Sequence, residues 1–154
     1  MPRSEKQPPV NLLIVEDNQA DILLLEETFD QLGYKLDLHT VKDGEEALSY
    51  LYRQPPFNNA SRPDLILLDM NLPRKNGFEV LAEIKEDETL KRIPVIVLST
   101  SSADIDINRS YQLHANCFII KPGDLDTFMD RIGKIMSFWL RTVSLPRDEN
   151  AWKK

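Results

Sequence analysis

The stretch Leu65-Ile66-Leu67-Leu68-Asp69 places a carboxylate directly after a run of four apolar residues. Such a run predicts a strand that is buried on both faces, as in a parallel sheet covered by helices. An acid at the end of a buried strand is costly unless it lies at the sheet edge, where ligands of α/β proteins bind. The segment therefore predicts an α/β fold with a polar site at Asp69.

Polar residues follow three further apolar runs in the same way. Glu16 and Asp17 follow the apolar run 12–15. Ser99 follows the run 95–98, and Lys121 follows the run 118–120. Because the carboxyl ends of parallel strands meet at one edge of a sheet, we expect these groups to lie together. That edge would be an acidic, metal-binding pocket with a nucleophilic carboxylate in it.

The alternation of apolar runs with amphipathic segments, repeated five times, indicates a doubly wound parallel sheet. We predict strands at 11–15, 36–41, 64–68, 94–98 and 116–120. We predict helices at 18–32, 44–53, after Gly77, at 103–113 and from Asp124 onward. All strands except the second read as apolar on both faces. The apolar face of the last helix is predicted to be Leu125, Phe128, Met129, Ile132, Ile135, Met136 and Trp139.

The bulk composition is that of a soluble globular domain. The chain has 154 residues, of which 42% are hydrophobic, so it can bury one proper core. We predict a polar arm over 1–10, one domain over 11–141 and a tail over 142–154. The net charge of −6 argues against direct nucleic-acid binding. A lone cysteine, and no apolar run near the roughly 20 residues that span a bilayer, predict a cytoplasmic protein with no membrane contact.

The predicted pocket calls for a cation. Carboxylates of Glu16, Asp17 and Asp69 at ~4 Å spacing would repel by roughly 4 kcal/mol per pair at an effective dielectric near ~20. A divalent cation relieves that repulsion, and a set of oxygen ligands favours Mg²⁺ or Mn²⁺ over zinc. We therefore expect Mg²⁺, with Mn²⁺ as a substitute.

Each residue taken alone also has an ordinary role open to it. Asp17 could cap the first helix, and Asp69 could be a turn acid before Pro73. Ser99 and Lys121 could face solvent. Their recurrence at successive strand ends favours one shared site over these separate roles.

The chemistry of such a site would be phosphoryl transfer. A metal-bound carboxylate, here Asp69, can attack a phosphoryl group and form an acyl phosphate. The metal and Lys121 would neutralise charge on the transferring group. Ser99 would donate a hydrogen bond to a phosphoryl oxygen.

These residues, taken in order, resemble the receiver domain of two-component response regulators. The resemblance rests on Glu16-Asp17, the segment 67–73 with Gly77, Ser99 and Lys121-Pro122. It implies a flavodoxin-like receiver fold with five helices and five strands in the order 2-1-3-4-5. It also implies that Asp69 accepts phosphate from a histidine of a sensor kinase.

The resemblance further implies a ligand set for the metal. Asp17, Asp69 and the main-chain carbonyl of Asn71 would hold Mg²⁺. Glu16 would assist, through water.

The resemblance also implies a switch. Ser99 and Phe118 would form the switch pair, with the hydroxyl moving toward the phosphate and the ring turning inward. Simple core packing is the other reading of Phe118. Lys121 would contact the phosphate, and its peptide bond to Pro122 is often cis in this family.

Three other segments resemble the small response regulators of cyanobacterial phytochromes, namely 58–63, 113–118 and 138–146. This resemblance implies a bacterial phytochrome kinase as partner and no attached output domain. It also suggests a homodimer formed by strand five, helix five and the tail, with Phe138 and Trp139 on its surface. Burial under the tail is the other reading of Phe138.

Three other classes of protein share parts of this pattern. A phosphatase of the haloacid-dehalogenase type needs a second acid two residues after its nucleophile, where this chain has Asn71. A flavodoxin-like flavin carrier would have its cofactor phosphate repelled by Glu16 and Asp17. A phosphate-independent binding module of the same fold stays open. We predict a phosphoacceptor signalling protein and not an enzyme with its own substrate.

Overall fold

The computed structural model describes residues 9–146, so most of the predicted arm and residues 147–154 of the predicted tail lie outside the described residues. Within this range the chain forms a parallel sheet with five strands in the predicted order 2-1-3-4-5. The strands are β1 (Val10–Val15), β2 (Leu36–Val41), β3 (Leu65–Asp69), β4 (Val95–Ser99) and β5 (Cys117–Ile120).

Helices connect the strands and cover both faces of the sheet. They are α1 (Gln19–Leu32), α2 (Gly44–Leu51), α3 (Gly77–Glu86), α4 (Asp104–Gln112) and α5 (Leu125–Ser137). A π-helical turn, Phe138–Thr142, continues α5. The predicted boundaries differ from these by at most two residues. None of the helices among residues 9–146 is long and apolar enough to cross a bilayer.

Side-chain caps account for several of the helix starts. The side chains of Asn18, Asp43, Asn76 and Asp124 each accept a hydrogen bond from the backbone N–H three residues later. In α4 the cap position is Ala103, which offers no such bond. These four caps set the points at which the chain leaves the sheet edge and enters a helix.

The described residues form two hydrophobic clusters, one on each face of the sheet. Strands β1, β3 and β4 are buried almost throughout, as their apolar runs predicted. β5 also packs on both faces, with Phe118 against one cluster and Cys117 and Ile119 against the other, but every residue of β5 is only partly buried. β5 is an edge strand, and Ser110 alone among the described residues of α4 is buried.

The predicted apolar face of α5 is largely confirmed. Phe128, Ile132 and Met136 are buried in the core. Leu125 was wrongly placed on this face, since it is 54% exposed. It lies in the first turn of α5, and the buried positions of that helix begin only at Phe128.

Candidate functional site

The ends of neighbouring strands bring the predicted polar residues to one edge of the sheet. Asp69 ends β3, Ser99 ends β4, Glu16 follows β1 and Lys121 follows β5. The pairing of β1 with β3, of β3 with β4 and of β4 with β5 places these ends side by side. This is the edge at which open α/β sheets bind ligands.

Three carboxylates converge at this edge. One oxygen from each of Glu16, Asp17 and Asp69 lies within 4.8 Å of the others. Glu16 and Asp69 are buried, whereas Asp17 is exposed. Oxygen donors with one side open to solvent suit a hard divalent cation that keeps some of its waters. The residues present therefore fit the predicted metal.

Lys121 supplies the positive charge at the centre of the site. Its Nζ donates hydrogen bonds to Glu16 Oε2 at 2.7 Å and to Asp21 Oδ2 at 3.1 Å. It lies 3.6 Å from Asp69 Oδ2. Burial lowers the pKa of Lys121, but the neighbouring carboxylates outweigh burial and the net pKa is raised. The ammonium is therefore charged when it faces Asp69.

Glu16 shows how strained the acid cluster is without a cation. Burial, and then the adjacent Asp69 carboxyl, raise the pKa of Glu16 to about 7, although Lys121 opposes both effects. The other oxygen of Glu16 accepts a hydrogen bond from the Asn18 N–H at 3.1 Å. A divalent cation would favour the ionised form of Glu16, because opposite charge lowers a carboxyl pKa.

The loop after β3 holds Asp69 and Asn71 close to the neighbouring backbone. Asp69 Oδ1 accepts a hydrogen bond from the Asn71 N–H at 3.2 Å. The Gly77 N–H donates to the Met70 carbonyl at 3.1 Å, and a Cβ at Gly77 would lie 2.6 Å from the Asp69 carbonyl oxygen. Only glycine fits so near that backbone. The loop thus carries Asn71 at the metal edge, where its carbonyl remains a predicted ligand.

The start of α2 presses against the same loop. A Cβ added to Gly44 would overlap the Lys75 carbonyl group. Arg74, which has φ of 66°, lies 3.9 Å from carboxylate oxygens of both Asp43 and Glu45. Helix α2 therefore supports the loop that carries Asn71, and nothing in the sequence pattern predicted this contact.

The two predicted switch residues lie on neighbouring strands. Ser99 is buried, and its Oγ accepts a hydrogen bond from the Ser101 N–H at 3.1 Å. Phe118 is half-buried and packs against the core beside α4. Its backbone N–H donates to Tyr111 Oη at 3.1 Å. Both readings of Phe118, core packing and a switch, are compatible with this half-buried position.

Sequence reasoning missed Asp21 and misjudged one peptide bond. Asp21 lies in the first turn of α1, so it carried no strand-end signal. The cis peptide expected at Lys121-Pro122 was wrong. Within residues 9–146 the cis bond is the one between Pro55 and Pro56.

The predicted dimer residues lie in the π-helical turn. Phe138 is 46% exposed, and its ring meets that of Trp139 edge-on at a centroid distance of 5.4 Å. Trp139 is half-buried against the core, with its indole Nε1 out of solvent, so only part of its ring is available. A groove of about 410 Å³ lies nearby between β5 and α5, lined by Phe118, Ile119, Ile120, Arg131, Lys134 and Ile135.

Comparison with known proteins places this geometry in a family. The family model for the response regulator receiver domain matches residues 12–133. The response regulator Rcp1 of Synechocystis sp. is 46% identical over 142 residues, which cover 92% of this chain and 97% of Rcp1. The probable methanogenesis regulatory protein FilR2 of Methanothrix harundinacea is 39% identical over 136 residues, which cover 88% of this chain and 87% of FilR2.

Solved structures agree with the sequence relatives. The phosphorylated cyanobacterial phytochrome response regulator RcpA is 51% identical with a TM-score of 0.87, and the match covers 90% of this chain and 99% of that one. The Mn²⁺-bound form of Rcp1 is 45% identical with a TM-score of 0.87, covering 90% and 100%.

Proposed function

This chain belongs to the response regulator receiver family, and from that premise we propose that Asp69 accepts a phosphoryl group from a histidine kinase. The observation that carries the proposal is a buried carboxylate 3.6 Å from a buried ammonium and within 4.8 Å of two further carboxylates. A carboxylate so placed is a nucleophile beside an ammonium that can neutralise charge on a phosphoryl group, and the further carboxylates could hold a cation that does the same.

The proposed transfer conserves atoms and charge. A carboxylate oxygen of Asp69 forms a bond to phosphorus while the P–N bond of a phosphohistidine breaks. The electron pair of that bond returns to the imidazole nitrogen. The product is an acyl phosphate on Asp69. The chain is proposed to act as a phosphoacceptor signalling protein and not as an enzyme with its own substrate.

The cofactor in this proposal is Mg²⁺, for which Mn²⁺ could substitute. Asp17, Asp69 and the main-chain carbonyl of Asn71 would hold the ion, with Glu16 assisting through water. When bound, such an ion neutralises charge on phosphoryl oxygens. The cluster of acidic oxygens supports this set, and a Mn²⁺-bound structure of the relative Rcp1 is in keeping with it.

The remaining residues of the site would respond to the phosphoryl group. Lys121 would place its ammonium against a phosphoryl oxygen, and Ser99 would turn its hydroxyl toward another. Phe118 would then turn inward as Ser99 moves. The half-buried Phe118 ring, which packs against the core, is compatible with such a turn.

The proposed kinase is a bacterial phytochrome. Support comes from the identity to RcpA, a cyanobacterial phytochrome response regulator, over 90% of this chain. A cytoplasmic location and the absence of direct nucleic-acid or membrane binding stay predictions of the sequence.

We also propose that signalling involves a homodimer built on the β5–α5 face. Phe138 is exposed three residues after Ile135, which lines the apolar groove between β5 and α5. Phosphorylation would alter the affinity of the dimer or the docking of the kinase.

A phosphorylation assay tests the central proposal. Acetyl phosphate with Mg²⁺ should add one phosphoryl group per chain in intact mass spectra, and chelation of the metal should prevent it. Asp69→Asn should take up none, while Asp37→Asn, in the exposed part of β2, should behave as wild type. A protein that instead hydrolyses p-nitrophenyl phosphate over many turnovers would be a phosphatase. A protein that neither takes up phosphate nor hydrolyses it would be a phosphate-independent module.

A further inference from the structure

The Lys121 ammonium lies within ion-pair distance of Asp69, but its hydrogen bonds go to other carboxylates. An ammonium group has three N–H donors. Within residues 9–146, two of its bonds go to Glu16 at 2.7 Å and to Asp21 at 3.1 Å. The nearer oxygen of Asp69 is 3.6 Å away, beyond hydrogen-bonding distance. The ammonium that would bind a phosphoryl group on Asp69 is therefore hydrogen-bonded to two other carboxylates.

The two carboxylates that hold Lys121 differ in their access to water. The side chain of Glu16 is 2% exposed, whereas that of Asp21 is 34% exposed. A buried acid that loses its cation pays a large desolvation penalty, but a partly exposed acid regains water when the cation leaves. Asp21 is thus the partner that Lys121 can release at low cost.

The fold fixes Asp21 in this position. Asp21 lies in the first turn of α1, and its backbone N–H donates to the cap residue Asn18 at 3.0 Å. The positive end of the helix stabilises an acid in that turn whether or not it contacts a cation. The carboxylate of Asp21, however, bonds Lys121, which is 100 residues away in the chain. Helix stability alone does not require that contact.

We propose that Asp21 is a positioning residue that competes with the incoming phosphoryl group for the Lys121 ammonium. The inference rests on the proposed function, since it assumes that Lys121 neutralises charge on that group. In the resting state Asp21 restrains Lys121, and phosphorylation exchanges the Asp21 carboxylate for a phosphoryl oxygen as its partner. Asp21 thereby slows phosphorylation.

Removal of the Asp21 charge should release this restraint. We expect Asp21→Asn and Asp21→Ala to raise the initial rate of phosphorylation by acetyl phosphate roughly threefold to tenfold, at saturating Mg²⁺. Asp21→Glu keeps the carboxylate and should stay near the wild-type rate. The rate is measured by intact mass spectrometry over time, and thermal unfolding of each variant shows that the fold is retained.

Asp30→Asn is the matched control for a change of charge on α1. Asp30 is an exposed aspartate of the same helix, about 13 Å from Asp21 along the axis. That distance exceeds the Debye length of ~8 Å at physiological salt, so this variant should phosphorylate as wild type.

The outcomes separate the inference from the proposed function. A wild-type chain that takes up no phosphoryl group contradicts both. A wild-type chain that is phosphorylated while Asp21→Asn is no faster overturns the role of Asp21 and leaves Asp69 as acceptor. If Asp30→Asn accelerates phosphorylation as much as Asp21→Asn does, the role of Asp21 is also overturned. The acceleration would then come from the lower net negative charge of the chain and not from the contact with Lys121.

Discussion

At the scale of single residues, Glu16 is the clearest case of a side chain whose position costs stability and suits a binding site. It is a nearly fully buried acid beside another buried acid, and its pKa is raised to about 7 from an ordinary 4.5. Folding gains nothing from such a pair, and Lys121 offsets only part of the repulsion. A site that carries this strain is expected where a cation is to be bound.

The raised pKa of Glu16 predicts a pH dependence of stability in the absence of metal. A carboxyl group whose pKa is higher in the folded state stabilises the fold at low pH, and that contribution is lost as pH rises from about 4.5 to about 7. We expect Glu16 to contribute a loss of about 3 kcal/mol in the free energy of unfolding over this window. Urea unfolding at several pH values in EDTA measures it.

Glu16→Gln should remove most of the pH dependence of the free energy of unfolding over that window. Glu27→Gln, on the exposed face of α1, should leave the pH dependence as in wild type. Saturating Mg²⁺ should stabilise the wild-type protein more at pH 7 than at pH 5, because the cation favours ionised Glu16. If Glu16→Gln keeps the wild-type pH dependence, Glu16 is not the group that causes the loss of stability.

At the scale of elements, the contact between α2 and the loop after β3 is the support that the site depends on. Gly44 lies against the Lys75 backbone, and Arg74 lies near acids on the first turn of α2. These contacts link a helix that holds none of the site residues to the loop that carries Asn71. The position of the predicted carbonyl ligand is therefore set from outside the site.

We predict that Gly44→Ala weakens metal binding as well as the fold. The added methyl group must displace the Lys75 backbone, which should lower the free energy of unfolding by about 1–3 kcal/mol. The displaced loop should also raise the dissociation constant for Mn²⁺, measured by electron paramagnetic resonance of the free ion.

Gly133→Ala provides the control, because its nearest neighbour would be 3.9 Å away in the middle of α5. That variant should gain about 0.5–1 kcal/mol from helix propensity and bind Mn²⁺ as wild type does. Equal Mn²⁺ affinity in Gly44→Ala and wild type would show that α2 supports the fold but not the metal site.

At the scale of the whole molecule, the side formed by α4, β5 and α5 leaves apolar residues uncovered. β5 is an edge strand that is only partly covered, α4 buries little, and Phe138 is exposed directly after α5. Apolar surface next to polar rims marks interaction sites in soluble proteins. This side is the one on which we place the second copy.

We predict that Phe138→Ala weakens self-association without changing phosphorylation. Loss of an exposed aromatic anchor from an interface should cost at least about 1 kcal/mol of dimer stability. Sedimentation equilibrium with and without beryllofluoride, a phosphoryl mimic, gives the dissociation constant in both states. Leu23→Ala is the control, since Leu23 is a 55% exposed apolar residue on a different helix, α1. If both variants associate like wild type in both states, the dimer does not use Phe138.

The sequence by itself determined the sheet, its helices and the strand ends at which Glu16, Asp69, Ser99 and Lys121 lie. Apolar runs and helical periods are local, so they identify strands, and parallel pairing then brings the strand ends to one edge. Their roles as ligand, acceptor and switch remain predictions that the assays above examine.

Only the tertiary structure decided which distant groups touch. Two contacts join segments that are far apart in the chain: the bond from Lys121 to Asp21 and the approach of Gly44 to Lys75. The partial exposure of β5 likewise depends on how the distant helices pack. Residue patterns report which face of an element is apolar, but the packing of one element on another fixes distances between side chains. Those distances set how strongly the charges at the acidic edge interact, and no local pattern encodes them.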